Sequence, residues 1–409
     1  MGKDDAPMNE NHNVMLSLIK ASLFQKPLEL PETVDWQAVF HEMKAHTISA
    51  LAVEAVCGIE GLDESVKALW VNHAQKNLHR YYRILHEQQV AIRILENAGL
   101  HPAVLKGASA ARYYPNPVYR AMGDVDLFLP GERAIQAVSI LKDHGYQGKH
   151  ENIQNPRHRT VEKNSVIFEL HASFSMLADE EKAQALDCML HEGLKALRFH
   201  EISGYPFPCF SDLLYGLVCL DHINHHMLSG IGLRQILDWA VFADRVLDDA
   251  FWTNEFQPLV QKFGYEKFAK VLTRTGQLYF GLQTEGRSWC SQVDRADCDQ
   301  LLAFVLESGN FGRKQGKKSS AITVLSGFKG VKSTFQSLQK NGCVNFAGAI
   351  EKFPFLKPFA WLLRLVRLAV LTVRRRLNPS AIWASYKESR RRIELCRAVG
   401  VIDAKPDDD

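Results

Sequence analysis

Cysteine is sparse and unpaired in this chain. Eight cysteines in 409 residues include no CxxC pair, which excludes a zinc ribbon and a thioredoxin-like motif and reads as reduced, buried thiols in a cytoplasmic protein. A secretory signal is also missing: Met1 to Asn13 is polar and acid-bearing, with no apolar core. No apolar run reaches the roughly 20 residues of a membrane span. The longest, Phe359 to Val373, is interrupted by Arg364 and Arg367. There is no internal repeat and no low-complexity tract. What is present is ordinary globular composition, 46% hydrophobic and 23% charged, which excludes a disordered chain, a collagen-like chain and a small disulfide scaffold.

The net charge of +3 conceals a division. From Phe311 onward there are 20 basic and 7 acidic residues, a balance of +13, whereas the first 310 residues carry −10. The basic part is suited to an anionic surface or to the acidic body of the protein itself. No groove-reading or aromatic-interleaved motif accompanies the charge, so sequence-specific nucleic-acid binding is not expected. Phe359 to Leu377 has helical periodicity, with Arg364, Arg367, Arg374 and Arg375 within about a third of the circumference. It reads as a helix packed on the body or lying on anionic lipid.

The pattern predicts an α+β protein, a small mixed sheet flanked by N- and C-terminal helical regions. Boundaries fall at 1–98 (helical), 99–205 (the α/β core), 206–310 (helical) and 311–409 (basic and helical). Asp35 can cap a helix starting at Trp36, and a long helix spans about Ser65 to Ala98, stopped by Gly99. Strands are expected at 103–105, 125–129 and 166–171, the last after a turn at Lys163 to Ser165. Helices are expected over 108–114 and 132–144.

The chemistry concentrates between Lys106 and His171. In a strand, Asp124 and Asp126 project from one face about 7 Å apart, while Val125 and Leu127 face a core. Two carboxylates beside Gly123 suit a hard cation of the Mg²⁺ type, with Mn²⁺ as the alternative. Gly107 allows a phosphate to approach the backbone at the start of the following helix. Lys106 and Arg120 can neutralise a triphosphate. Two-metal phosphoryl chemistry wants a third carboxylate, and Glu169 shares a strand face with His171. Asp124, Asp126 and Glu169 are thus the candidate catalytic and metal-binding residues.

Those residues, Leu105-Lys106-Gly107-Ala108, Tyr114-Pro115, Arg120, Gly123-Asp124-Val125-Asp126 and Glu169-Leu170-His171, resemble the core of the uncharacterised nucleotidyltransferases within the DNA polymerase β-like superfamily. The resemblance extends outward through Asp35-Trp36, His222, His226, Leu233-Arg234 and Leu237-Asp238-Trp239, over roughly residues 14 to 250. It implies Mg²⁺-dependent transfer of a nucleoside monophosphate from an NTP to an unidentified acceptor, with the three carboxylates as metal ligands. Where the wider superfamily usually has Gly-Ser or Gly-Gly, this chain has Lys106-Gly107, which moves the implied phosphate contacts to Lys106 and Ser109. His171, His222 and His226 are expected to support the site. His222 and His226 stand one turn apart on a helix, but without an HExxH arrangement they do not signal a zincin. A non-catalytic nucleotide-binding or membrane-associated scaffold in a polysaccharide or peptide-modification pathway is the alternative class. A toxin-type transferase acting on tRNA or protein is another. The expected location is cytoplasmic, with peripheral membrane contact through the basic C-terminal helix.

Overall fold

The computed structural model describes residues 8–148, 157–227, 230–310, 339, 342–343, 346–364, 366–367 and 390–402. Residues 1–314 with 398–409 form one compact unit, and residues 315–397 form another. The first unit opens with helices α1 (Glu10–Phe24), α2 (Trp36–Ala45), α3 (Val53–Cys57) and α4 (Glu64–Asn97). Asp35 caps α2 by accepting from the Ala38 N–H at 2.9 Å, and Asp63 caps α4, because an oxygen one residue outside a helix satisfies a backbone donor that has no partner within it. Gly99, at φ +80°, ends the long helix in the left-handed conformation that glycine adopts without strain.

Seven strands then form one mixed sheet in the order β3-β4-β5-β2-β1-β7-β6. They are β1 (Ala103–Val104), β2 (Val125–Phe128), β3 (Gln147–Gly148), β4 (His158–Lys163), β5 (Val166–His171), β6 (Arg198–Ile202) and β7 (Tyr205–Cys209). Between them run the helices α5 (Ala108–Ala111), α6 (Glu132–Asp143) and α7 (Glu180–Gly193), and α8 (Asp212–Met227) and α9 (Leu233–Val246) follow. The architecture is thus α+β, with a small mixed sheet between helical regions.

Strand alternation separates core from site. Val125, Leu127, Val161, Phe168 and Leu170 join Ile84, Leu85, Ile92 and Leu95 of α4 and Ala134, Ala137 and Leu141 of α6 in one buried cluster. The neighbouring strand positions Asp126, Glu169 and His171 therefore point to the other face. Ala103, Leu105 and Phe128 make a second cluster with Phe174, Leu190, Phe210 and Val218. The turn between β4 and β5 carries positive φ at Asn164 and Ser165, as a two-residue hairpin requires.

Three features depart from the sequence expectation. The helix expected over 108–114 is a single turn, Ala108–Ala111. Tyr113 and Tyr114 leave it through i→i−3 bonds to Ala110 and Ala111, and their hydroxyls donate to Asp212 and Asp238, both at 2.7 Å. The β6–β7 hairpin was not expected, because Pro206 and Pro208 silence the strand signal. They are tolerated where β7 meets β1 only at the Val104–Cys209 pair. Cys57 and Cys188 are exposed, while Cys209, Cys219, Cys290, Cys298 and Cys396 are buried, and all eight thiols are free.

Helix α4 also fastens the loops. Asn77 donates to the Val118 carbonyl, Arg80 to those of Met122 (3.0 Å) and Gly123 (2.8 Å). Tyr81 bonds Ser203 in the β6–β7 turn, and the buried Glu87 accepts from Asn164 at 2.7 Å.

Helix α8 packs through Gly216. A methyl group there would fall 2.5 Å from Phe256 Cε2 and 2.8 Å from Phe242 Cζ. Gly216→Ala should cost about 1–3 kcal/mol, the scale of overpacking a filled core. Urea denaturation measures it, and a loss under about 0.5 kcal/mol would mean that the ring layer yields.

Candidate active site

The site is assembled where β1, β2 and β5 lie side by side. β2 and β5 are parallel, with Asp126 paired to Glu169 and Phe128 to His171. β1 runs antiparallel to β2 on its other edge. The Leu105 N–H continues that ladder onto the Asp126 carbonyl at 3.0 Å, which delivers the next residue, Lys106, to the Asp126 side chain. Gly107 then turns the chain at φ +61°, ψ −104°, a conformation for glycine alone. Its Cα lies against Asp124: a Cβ there would sit 3.7 Å from the Asp124 carbonyl oxygen.

At the centre is the Asp126 carboxylate, 1% exposed. Its Oδ1 lies 2.8 Å from Lys106 Nζ and 2.9 Å from His171 Nε2. The same imidazole nitrogen lies 3.4 Å from Glu169 Oε2. One ligand atom from each of Asp126, Glu169 and His171 can be chosen so that all lie within 4.8 Å of one another. Glu169 is the more open carboxylate, its side chain 27% exposed. His158 on β4 stands opposite His171, with ring centroids 5.5 Å apart.

Charge in this cluster is mutually dependent. Burial disfavours the Lys106 ammonium, but Asp126, Asp124 and Glu169 together outweigh it and hold the lysine above its ordinary range. Burial likewise opposes charge on His171, and the bonds to Asp126 and Glu169 reverse this, raising the ring to about 9. For Glu169 burial pushes the carboxyl up, yet His171 and Lys106 bring it down to about 2. His158 goes the other way, lowered chiefly by burial. The cluster is therefore a pair of carboxylates facing a lysine and an imidazole whose charge they support.

A divalent cation fits this donor set. Asp126 and Glu169 offer the carboxylate oxygens that a hard cation prefers, and the third ligand that the structure brings to them is His171, not the expected Asp124. Lys106 and His171 now neutralise the two carboxylates. Glu169 on β5 is the carboxylate paired with Asp126 across the parallel ladder.

The remaining sequence candidates are dispersed around this centre. Ser109 is buried and donates to the Val104 carbonyl at 2.6 Å, which ties the Lys-Gly turn to β1. Arg120 is buried and turned away from the carboxylates. Its Nε and Nη2 each donate to Asp238 at 2.7 Å in a two-pronged pair. Gly123 offers its carbonyl to Arg80. His222 and His226 meet edge to face, with ring centroids 4.6 Å apart. Burial, then the charge of Lys106, pushes His222 well below its ordinary range. Among the described residues, the three-ligand group at Asp126 includes neither His222 nor His226. Asp238, quoted from the sequence only as part of the resemblance, is the anchor of Arg120. Sequence reasoning missed Arg80 and gave Arg234 no role beyond its place in the resemblance, and both hold the loop before Asp124; a lone arginine on a helix carries no signal of that kind.

A family model described as uncharacterised nucleotidyltransferase matches residues 32–281, more than half of the chain. No curated protein matches, and no solved structure matches.

The charge arrangement predicts a titration. In the metal-free protein the His171 ring should lose its proton near pH 9, against an ordinary value near 6.5. A raised native pKa means that the stabilisation is complete below about pH 6.5 and is lost as pH climbs through about 9. The depressed Glu169 carboxyl gives the mirror effect, lost as pH falls from about 4.5 toward 2. Imidazole NMR shifts measure the first, and Asp126→Asn should return the ring toward its ordinary value. A wild-type ring titrating near 6.5 would contradict the assignment.

Proposed function

The chain belongs to the uncharacterised nucleotidyltransferase family, and on that footing we propose that it transfers a nucleoside monophosphate from an NTP to an acceptor hydroxyl at the Asp126 cluster. The observation that carries this reading is the register of β2 on β5, which pairs Asp126 with Glu169 beside Lys106. Asp124, Asp126 and Glu169 would hold Mg²⁺, with Mn²⁺ as the alternative. Bound there, the ion would neutralise phosphate charge and lower the pKa of the attacking hydroxyl.

The protein's own residues supply the rest. Lys106 reaches Asp126 through a flexible stem, so its ammonium can pass from that carboxylate to a phosphate oxygen. Gly107, with no side chain, lets a phosphate come close to the backbone. His171 keeps a proton between Asp126 and Glu169 and fixes the orientation of both. In the transfer the acceptor oxygen forms a bond to the α-phosphorus, and the bond from that phosphorus to the bridging oxygen breaks. Pyrophosphate leaves with the electron pair, and the acceptor proton passes to Glu169 or to solvent.

Glu169→Gln tests the role of the third carboxylate, since it keeps the shape and removes the charge. Incubation with each α-labelled NTP and cell extract should show label transfer falling by at least about a hundredfold, while Mg·NTP still binds. Transfer at the wild-type rate would place the third carboxylate elsewhere.

The basic C-terminal unit suggests a second contact. Phe353, Phe355, Phe359, Leu362 and Val366 are all exposed, and Lys352, Lys357, Arg364 and Arg367 share that stretch. Residues beyond 367 in the expected Arg-striped helix lie outside the described ones. No helix among the described residues is long and apolar enough to cross a membrane. We infer a peripheral contact with anionic lipid, apolar rings inserted and cations at the headgroups. Full-length chain should float with anionic vesicles, less so in high salt, and Phe355→Asp with Phe359→Asp should float poorly. Equal recovery of both proteins would point to a helix packed on protein.

A further inference from the structure

Two guanidinium groups approach Asp238, and only one is neutralised by it. Arg120 takes both carboxylate oxygens, and Tyr114 donates to Oδ1 as well. Arg234 stands one turn before Asp238 on α9 and makes no carboxylate contact within 4 Å among the described residues. Its Nη1 donates to the Ala121 carbonyl at 3.0 Å. Its Nε is buried and has no hydrogen-bond partner among the described residues. A guanidinium has five donors in a planar fork; Arg234 is half-buried, one of its donors is shut away from water unmet, and the outer edge of the fork stays open. Leaving such a donor unmet is costly.

Its position gives the unspent donors a use. Ala121 lies three residues before Asp124, so Arg234 borders the loop that leads into the carboxylate cluster. Arg80 holds the same loop from α4, through Met122 and Gly123. His222 on α8 lies within the electrostatic reach of both Lys106 and Arg234, and these two charges add to burial in keeping its ring neutral. Burial and the Arg120 charge both work against the Arg234 charge, and Asp238 and Asp124 only partly offset them. One side of the site is thus rich in carboxylates, and the other has more positive charge than its partners neutralise.

We infer that Arg234 forms an anion subsite for the outer phosphates of a nucleoside triphosphate, an assignment that rests on the transfer reading above. The fork geometry suits two phosphate oxygens at once. Lys106 would meet the phosphate nearer the carboxylates, and Arg234 the leaving pyrophosphate. This gives Arg234 the part that the sequence had assigned to Arg120, whose own donors are committed to Asp238.

The test uses the full chain without metal and a probe without a base, inorganic tripolyphosphate, with orthophosphate as the short control. Calorimetry should show tripolyphosphate weakened at least about tenfold in Arg234→Gln, the scale of losing a charge-assisted pair, with orthophosphate changed far less. Arg234→Lys keeps the charge and loses the fork, so it should fall between; it also decides the matter if the glutamine variant does not fold. Wild-type affinity for tripolyphosphate in either folded variant would overturn the subsite, as would no binding by the wild type. Arg234-dependent binding in a chain that transfers no nucleotide would keep the subsite and remove the transfer reading.

Discussion

The constraint on which the site depends is the cost of burying the Asp126 carboxylate. An ionised carboxylate taken out of water without partners is strongly penalised. Here Lys106 and His171 meet the same oxygen at 2.8 and 2.9 Å. Each partner comes from a different strand end, so the charge is compensated only when β1, β2 and β5 are in register. A slip of one residue between β2 and β5 would send Asp126 or Glu169 into the apolar face that holds Leu127 and Phe168. Hydrophobic alternation and charge compensation therefore specify the same pairing, and neither would be satisfied by another.

A second buried charge pair organises the approach to that centre. Arg120 and Asp238 join the loop before β2 to helix α9, and Tyr114 adds its hydroxyl. Removing either ion would leave the other buried and unmatched, which costs more than the pair contributes. The loop from Val118 to Gly123 is thus tied on one side to α4 and on the other to α9. Such fixation limits the freedom of Asp124, which follows directly.

Much of this was legible in the residues alone. The long helix with Gly99 after it, the cap at Asp35, and the three central strands follow from periodicity and local turn chemistry. Asp124, Asp126 and Glu169 were read as the metal ligands, with Lys106 at the phosphates and His171 in support, because carboxylates flanked by core residues on strands ask for a reason; the structure gathers Asp126, Glu169, His171 and Lys106. The β6–β7 hairpin was hidden by two prolines. The partner of Arg120 was hidden for a different reason. A lone arginine is as readily a phosphate ligand as half of an ion pair, and the carboxylate that decides between them lies 118 positions away. The extent of α5 was misjudged because two tyrosines bond to distant aspartates, and no local propensity reports that.

Helix α4 has 34 residues, about 51 Å at 1.5 Å per residue. Along a short part of it, Asn77 and Arg80 grip the loop before Asp124, Tyr81 meets the β6–β7 turn and Glu87 meets the β4–β5 turn. Three separate loops are thus indexed to one rod. Inserting a single residue between Tyr81 and Glu87 would rotate one set of grips about 100° from the other. Length change in this stretch is therefore forbidden in steps of one, while substitution on its outward face is free. Descendants of this chain can vary in composition along α4 far more readily than in spacing.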